Sequence, residues 1–359
     1  MSVISEELFK RNLPELLYFD DGSPVTPENW EARRAQLLEI LSSEEYGFAP
    51  PSPEKVNVTV ERHEDGQYAG KACVNSLRLS FETDRGEFSF PVMEIVPTGK
   101  KNCPTFVVLN FRADVPDKYL PAEEIIDYGC AILRIYYNDI AYDGEDDFSG
   151  GIAAMYDRGK YNWGKLRMWA FAASRVMDYL QSGTADYPDL SRIVVAGHSR
   201  LGKAALIAAA FDTRFALACA NDSGCSGDAL TRGKKGERVG DIVKTFPFWF
   251  CEKYKSYSGR ETEMPFDQHF LLAAVAPRRV ALGAALEDEW ADPDSQYLSA
   301  CAVSGVWDML GRKGFITPDR LPLPGDCFST GCIKYHLRRG RHFLSREDWQ
   351  HYCTYILEL

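Results

Sequence analysis

The sequence predicts an α/β protein: a mostly parallel twisted sheet with helices on both faces and an antiparallel portion near the N-terminus. Three observations carry that prediction. Period-two alternation runs through residues 55–60, 74–81 and 88–96, as in half-buried antiparallel strands. After Pro104, short solid apolar runs recur at 105–109, 131–136, 192–196, 278–282 and 333–337. Segments of helical period lie between and after them, at about 163–181, 202–211, 267–274 and 345–357. Solid apolar strands alternating with helices imply a parallel sheet covered on both faces.

Before the first strand, about 50 residues form a lead-in. Thr26 is a plausible N-cap and Pro27 suits a first helical turn, so a helix is expected from Pro27 through Ala35, Leu37, Leu38 and Ile40 to about Leu41. Pro50, Pro51 and Pro53 close that region. With no internal repeat and no low-complexity linker, the 359 residues are expected to form one domain.

A hydrophobic content of 45% suffices for a large core. The net charge of -11 argues against nucleic acid or an anionic membrane as partner. The short basic run Arg232-Gly233-Lys234-Lys235, followed by Glu237, is expected to be a solvated loop. Ten cysteines occur without a C-x-x-C pair, and several sit inside apolar runs as small hydrophobes. The N-terminal stretch lacks a basic n-region and an apolar h-region. With free thiols, this makes the cytoplasm the expected compartment.

Chemistry concentrates at Ala196-Gly197-His198-Ser199-Arg200-Leu201-Gly202-Lys203. An apolar strand ends at Gly197, a small-residue helix begins by about Gly202, and Ser199 sits at the tip of the turn between them. That is a nucleophile elbow, the mark of an α/β-hydrolase. The turn raises the hydroxyl above the sheet and aims the next N–H groups at developing negative charge, so the Arg200 N–H is the first candidate oxyanion donor. Leucine at 201 departs from the common G-x-S-x-G pattern, and an N-capping serine in an ordinary turn is the alternative.

A serine needs a base, and six histidines are available. His63 is expected in a polar N-terminal turn, His269 starts a helix, His336 lies in the last strand and His351 in the last helix. His198 adjoins the serine, with a side chain expected to project away from the base's position. His342 follows the last strand and precedes Ser345, whose pairing with Asp348 resembles a capping box. In the chain order Ser, acid, His, that is the base's place. For the acid, Asp288 comes soonest after the preceding strand, with Asp292 next. Asp222, after the strand that follows the nucleophile helix, is the other candidate; Asp288 is preferred.

These residues resemble the glucuronoyl esterases, a carbohydrate esterase family, in its divergent bacterial form. Gly197-His198-Ser199-Arg200-Leu201-Gly202-Lys203 is similar to the family's G-C-S-R-x-G-K elbow. The likeness continues, in order, through Asn221-Asp222-Ser223-Gly224, Phe246-Pro247-Phe248-Trp249-Phe250, Asp267-Gln268-His269-Phe270, Ala276-Pro277-Arg278, Asp288-Glu289-Trp290-Ala291-Asp292-Pro293 and Gly340-Arg341-His342. The resemblance implies hydrolysis of esters between glucuronic acid carboxyls and alcohols. It implies Ser199 as nucleophile, His342 as base, Arg200 assisting the oxyanion, and Lys203 and Trp290 contacting the uronate. The family acid is often a Glu at the position of Asp222, with another acid at that of Asp288 in some bacterial members. His198 stands where the family usually has Cys, and Asp222 is one methylene shorter than Glu.

The expected substrate is a small-molecule or oligosaccharide ester, with no metal or organic cofactor. A second oxyanion donor is expected near residues 110–112. An acetyl-carbohydrate or general carboxylesterase is the first rival, distinguished by a small closed acyl slot instead of cations beside Ser199. A carbohydrate-binding protein without turnover is the second.

Overall fold

The period-two segments become three long antiparallel strands in the computed structural model, which describes residues 2–359. These are β1 (Asn57–Gln67), β2 (Ala72–Thr83) and β3 (Gly86–Pro97). The apolar runs become β4 (Cys103–Asn110), β5 (Ala131–Tyr136), β6 (Pro188–His198), β7 (Leu217–Asn221), β8 (Arg279–Ala285) and, after a two-residue β9 (Cys327–Phe328), β10 (Ile333–Arg338). All join one ten-stranded sheet in the order β1-β2-β3-β5-β4-β6-β7-β8-β10-β9. The run from β5 to β10 is parallel, and β9 closes that edge antiparallel.

Nine α-helices accompany the sheet among the described residues: α1 (Val3–Arg11), α2 (Trp30–Leu41), α3 (Ala122–Asp127), α4 (Lys165–Gln181), α5 (Arg200–Phe211), α6 (Val239–Thr245), α7 (His269–Ala273), α8 (Pro293–Met309) and α9 (Arg346–Leu357). Every residue of β4 is buried, because helices cover both faces. Val107, Leu109 and Val195 pack into one core with α4, α5 and α8, while Phe106, Val108, Val194 and Ala196 pack into another with α3 and α9. Trp349 of α9 meets Phe106 edge-on at 5.4 Å and donates from Nε1 to the Tyr119 carbonyl. That contact anchors the helix whose start follows His342. No helix among the described residues is long and apolar enough to cross a membrane.

Several expectations shift. Helix α2 begins at Trp30, not Pro27, and Asn29 turns its side chain back to accept from the Thr26 N–H at 2.7 Å. The lead-in is not peripheral: Trp30, Leu37 and Leu41 belong to the main core. His63 lies within β1. Helix α8 was not expected; Asp292 caps it, accepting from Ser295 N at 3.2 Å, with Pro293 in its first turn. The basic run is solvated only in part: Lys235 is exposed, but Arg232 and Lys234 are buried. Arg232 donates to the carbonyls of Phe266, Thr262 and Met264, and Lys234 to those of Lys235 and Trp290, so backbone acceptors replace water.

Candidate active site

Strand register brings distant residues to one edge. His198 lies opposite Asn221, Asn221 opposite Gly283, and Ala285 opposite Arg338. The chain therefore leaves β6, β7, β8 and β10 at the same level, and Ser199, Asp222, Asp288 and His342 all follow on the carboxyl edge, where open α/β sheets hold their sites.

The elbow is tight. Ser199 has φ 56° and ψ -127°, a left-handed backbone that costs an L-residue on the order of 1–3 kcal/mol. Its N–H donates to the Asn221 carbonyl at 2.8 Å, and its carbonyl accepts from Lys203 N at 3.0 Å. A Cβ on Gly197 would lie 2.2 Å from the Leu201 carbonyl oxygen, so strand and helix cross there only because residue 197 has no side chain. Helix α5 starts directly at Arg200, and its first N–H groups have no carbonyl one turn back.

Ser199 and His342 line one cleft of about 340 Å³ with Phe111, Arg112, Lys118, Tyr119, Tyr137, His198 and Arg200. Among the described residues the His342 ring makes its hydrogen bond to Asp288, and none joins it to Ser199 Oγ. The 342 imidazole is paired from behind, with Nδ1 2.6 Å from Asp288 Oδ2. Asp288 is buried, whereas the His342 side chain is 45% exposed toward the cleft.

Asp222 stands next to this pair. One acceptor or donor atom each from Asp222, Asp288 and His342 lie within 4.8 Å of one another. Yet Asp222 Oδ2 accepts from Arg338 Nη2 at 3.3 Å and from Phe343 N at 3.4 Å, not from the imidazole. Burial, then the charge of Asp288, push the Asp222 carboxyl well above the usual carboxylate range. Its Oδ1 is buried without a hydrogen-bond partner among the described residues. The candidate acid in contact with the base is therefore Asp288 alone. Asp292 is excluded by its capping role.

His198 does not project away. Its ring centre lies 4.5 Å from that of His342 and 5.5 Å from that of Tyr119. Nδ1 is 2.7 Å from Asn221 Oδ1. Burial, then the neighbouring His342, push it down to about 3, so it stays neutral beside the His342 ring. Lys203 and Trp290 are not brought to the cleft. Lys203 is buried, with Nζ donating to the Ser223 carbonyl at 2.5 Å, because α5 turns it inward onto the loop after β7. Trp290 is 57% exposed and lines a separate cavity with Leu286, Pro322 and Leu337. Phe111 and Arg112 do reach the cleft, as expected for the loop after β4.

The residue that sequence reasoning missed is Arg338, the last of β10. Nη1 donates to the carbonyls of Arg339 and Arg341 and Nη2 to that of Phe343, so one guanidinium holds the loop on both sides of His342. Its Nε donates to Asp348 at 2.8 Å, which also accepts from His336 Nε2 at 2.8 Å. Against the penalty of burial, the His336 and Arg338 contacts hold Asp348 down to about 2. The anticipated Ser345–Asp348 capping box is present, so the same carboxylate starts α9.

Comparison with known proteins meets this geometry from outside. The family model described as glucuronyl esterase, fungi, matches residues 80–311. A carbohydrate esterase of an unknown prokaryotic organism is 32% identical over 96% of this chain and 89% of its own length. The chain belongs to the glucuronoyl esterase family. Another relative of this glucuronoyl esterase family member, the 4-O-methyl-glucuronoyl methylesterase 1 of Wolfiporia cocos, is 31% identical over 83% of this chain and 72% of its own. Among solved structures, a promiscuous CE15 esterase from a marine bacterial metagenome superposes with TM-score 0.87 at 31% identity, covering 96% of each chain. The glucuronoyl esterase of Solibacter usitatus gives TM-score 0.87 at 31% identity over 96% of this chain and 97% of its own. The fold is that of the α/β-hydrolases, and the protein is a serine carboxylic-ester hydrolase acting on carbohydrate esters.

Proposed function

We propose that this esterase cleaves esters of a glucuronic acid carboxyl through Ser199, His342 and Asp288. The observation that carries the substrate class is the charge around the nucleophile: Arg112, Lys118 and Arg200 line the Ser199 cleft of a protein whose net charge is -11. Cations placed there suit a product that leaves as a carboxylate beside sugar hydroxyls. The 4-O-methyl-glucuronoyl methylesterases among its relatives point the same way.

The chemistry follows from hydrogen-bond bookkeeping. Asp288 holds the Nδ1–H of His342, which leaves Nε2 as the lone pair facing the cleft. That atom takes the Ser199 proton as Oγ attacks the ester carbonyl. The Arg200 N–H and a donor from the loop after β4 receive the oxyanion. The alcohol departs with the proton from Nε2; water then loses a proton to the same atom as it attacks the acyl carbon, and Nε2 returns that proton to Ser199 Oγ as the acid is released.

An acetyl esterase is disfavoured by the openness of the cleft, where His342 is nearly half exposed. The deciding experiment compares methyl glucuronate, acetylated xylose and p-nitrophenyl acetate. Methyl glucuronate should have the highest kcat/KM; if it is the poorest of the three, the substrate reading fails. A fluorophosphonate probe should label wild type and not Ser199→Ala, and an unlabelled wild type would favour a binding protein instead.

A further inference from the structure

Arg200 enters the cleft on a side chain gripped from several directions. Its Nη1 is paired with Asp143. Its guanidinium carbon lies 5.0 Å from the ring centre of Phe246 and 4.7 Å from that of Trp249, and these two rings are stacked at 3.9 Å with a tilt of 2°. Phe111 covers another side at 5.8 Å.

Asp143, in the loop after β5, is the hub of this arrangement. Its side chain is 5% exposed. Besides Arg200, it accepts from Trp249 Nε1 at 2.8 Å and from the Tyr137 hydroxyl at 3.2 Å. Burial, then the Asp143 charge, push Tyr137 up to about 12, so its hydroxyl remains a donor throughout the working range. Three donors from three parts of the chain thus converge on one carboxylate. Arg200 Nη2 makes no hydrogen bond to the described residues, and Arg200 lines the Ser199 cleft.

A long arginine side chain left free samples many rotamers, and its planar fork recognises an oxygen only when the plane is fixed. A donor fixed before negative charge develops lowers a barrier more than one that must reorient. We infer that Asp143 is a positioning residue for ester hydrolysis, locking the Arg200 guanidinium so that Nη2 is presented to the reacting carbonyl. Trp249 and Tyr137 hold the carboxylate while the Phe246–Trp249 stack sets the plane. The inference rests on Ser199 being the nucleophile.

A double-mutant cycle tests it, with kcat and KM measured on methyl glucuronate and on p-nitrophenyl acetate. Asp143→Ala should lower kcat about 10- to 100-fold with little change in KM, and Arg200→Ala at least as much. Combined, the two should be no slower than Arg200→Ala alone, because Asp143 acts only through Arg200. Asp143→Asn keeps the shape without the charge and should fall in between; it carries the cycle if the alanine variant does not fold. Losses that multiply in the double variant, or a wild-type kcat in either Asp143 variant, overturn the proposal. If the cycle couples on p-nitrophenyl acetate while methyl glucuronate is not turned over, the substrate reading fails and this one stands.

Discussion

Asp288 contacts the His342 imidazole at 2.6 Å, while Asp222, a few ångströms away, is captured by Arg338 and the Phe343 N–H. One carboxylate is thus set against the His342 ring, and the other is buried beneath the loop that carries it. Asp288→Asn should lower kcat about 10³- to 10⁴-fold, the cost of losing the orienting carboxylate. Asp222→Asn, whose amide oxygen can still accept from Arg338 and the Phe343 N–H, should cost no more than about 10-fold. Steady-state kinetics of the two variants side by side check this, and the reverse ranking would make Asp222 the acid.

Strain at the elbow gives a second prediction. The φ of 56° at Ser199 persists in Ser199→Ala but is natural to glycine. Both variants should be inactive, and Ser199→Gly should be the more stable by about 1 kcal/mol in urea titration. Equal midpoints would mean that the backbone relaxes once the hydroxyl is gone.

His198 predicts a feature of the pH profile. Held down to about 3, it does not titrate where the enzyme works, although its ring lies 4.5 Å from that of His342. The acidic limb of kcat/KM should therefore survive in His198→Cys. Disappearance of that limb in the cysteine variant would transfer the titration to His198.

Glu45 links stability to pH. It is fully buried, its oxygens take the Gln268 amide at 3.0 and 3.1 Å, and burial pushes it from 4.5 up to about 7. Between those values the folded chain keeps a proton that the unfolded chain has lost. Stability therefore falls as pH rises through that window, by up to roughly 3 kcal/mol. Urea midpoints at pH 5 and 7.5 should differ for wild type and differ less for Glu45→Gln. Identical shifts in both proteins would assign the dependence to other groups.

Much of this was legible from periodicity. Alternation at 74–81 and 88–96 marked antiparallel strands, and the solid runs at 105–109 and 192–196 marked buried parallel ones. Gly197 and Ser199 were readable because a strand-to-helix turn demands particular backbone conformations, and His342 because chain order places a base after the last strand. What escaped was settled by packing across the chain. Two aspartates follow neighbouring strand ends, and the reach of Arg338 and the Phe343 N–H separates their contacts. Asp292-Pro293 reads in sequence as an acid in a loop, and the same pair serves as a helix cap and first turn. The family resemblance implies a substrate contact for Lys203, but the Ser223 carbonyl holds it below the surface.

Asp348 ties two events together. It closes the capping box that starts α9 and, through Arg338, steadies the segment that carries the imidazole. Fraying of the terminal helix therefore loosens the proton acceptor in the same motion. Heat should then silence the enzyme through a local opening at its carboxy-terminal end, while the central strands remain paired.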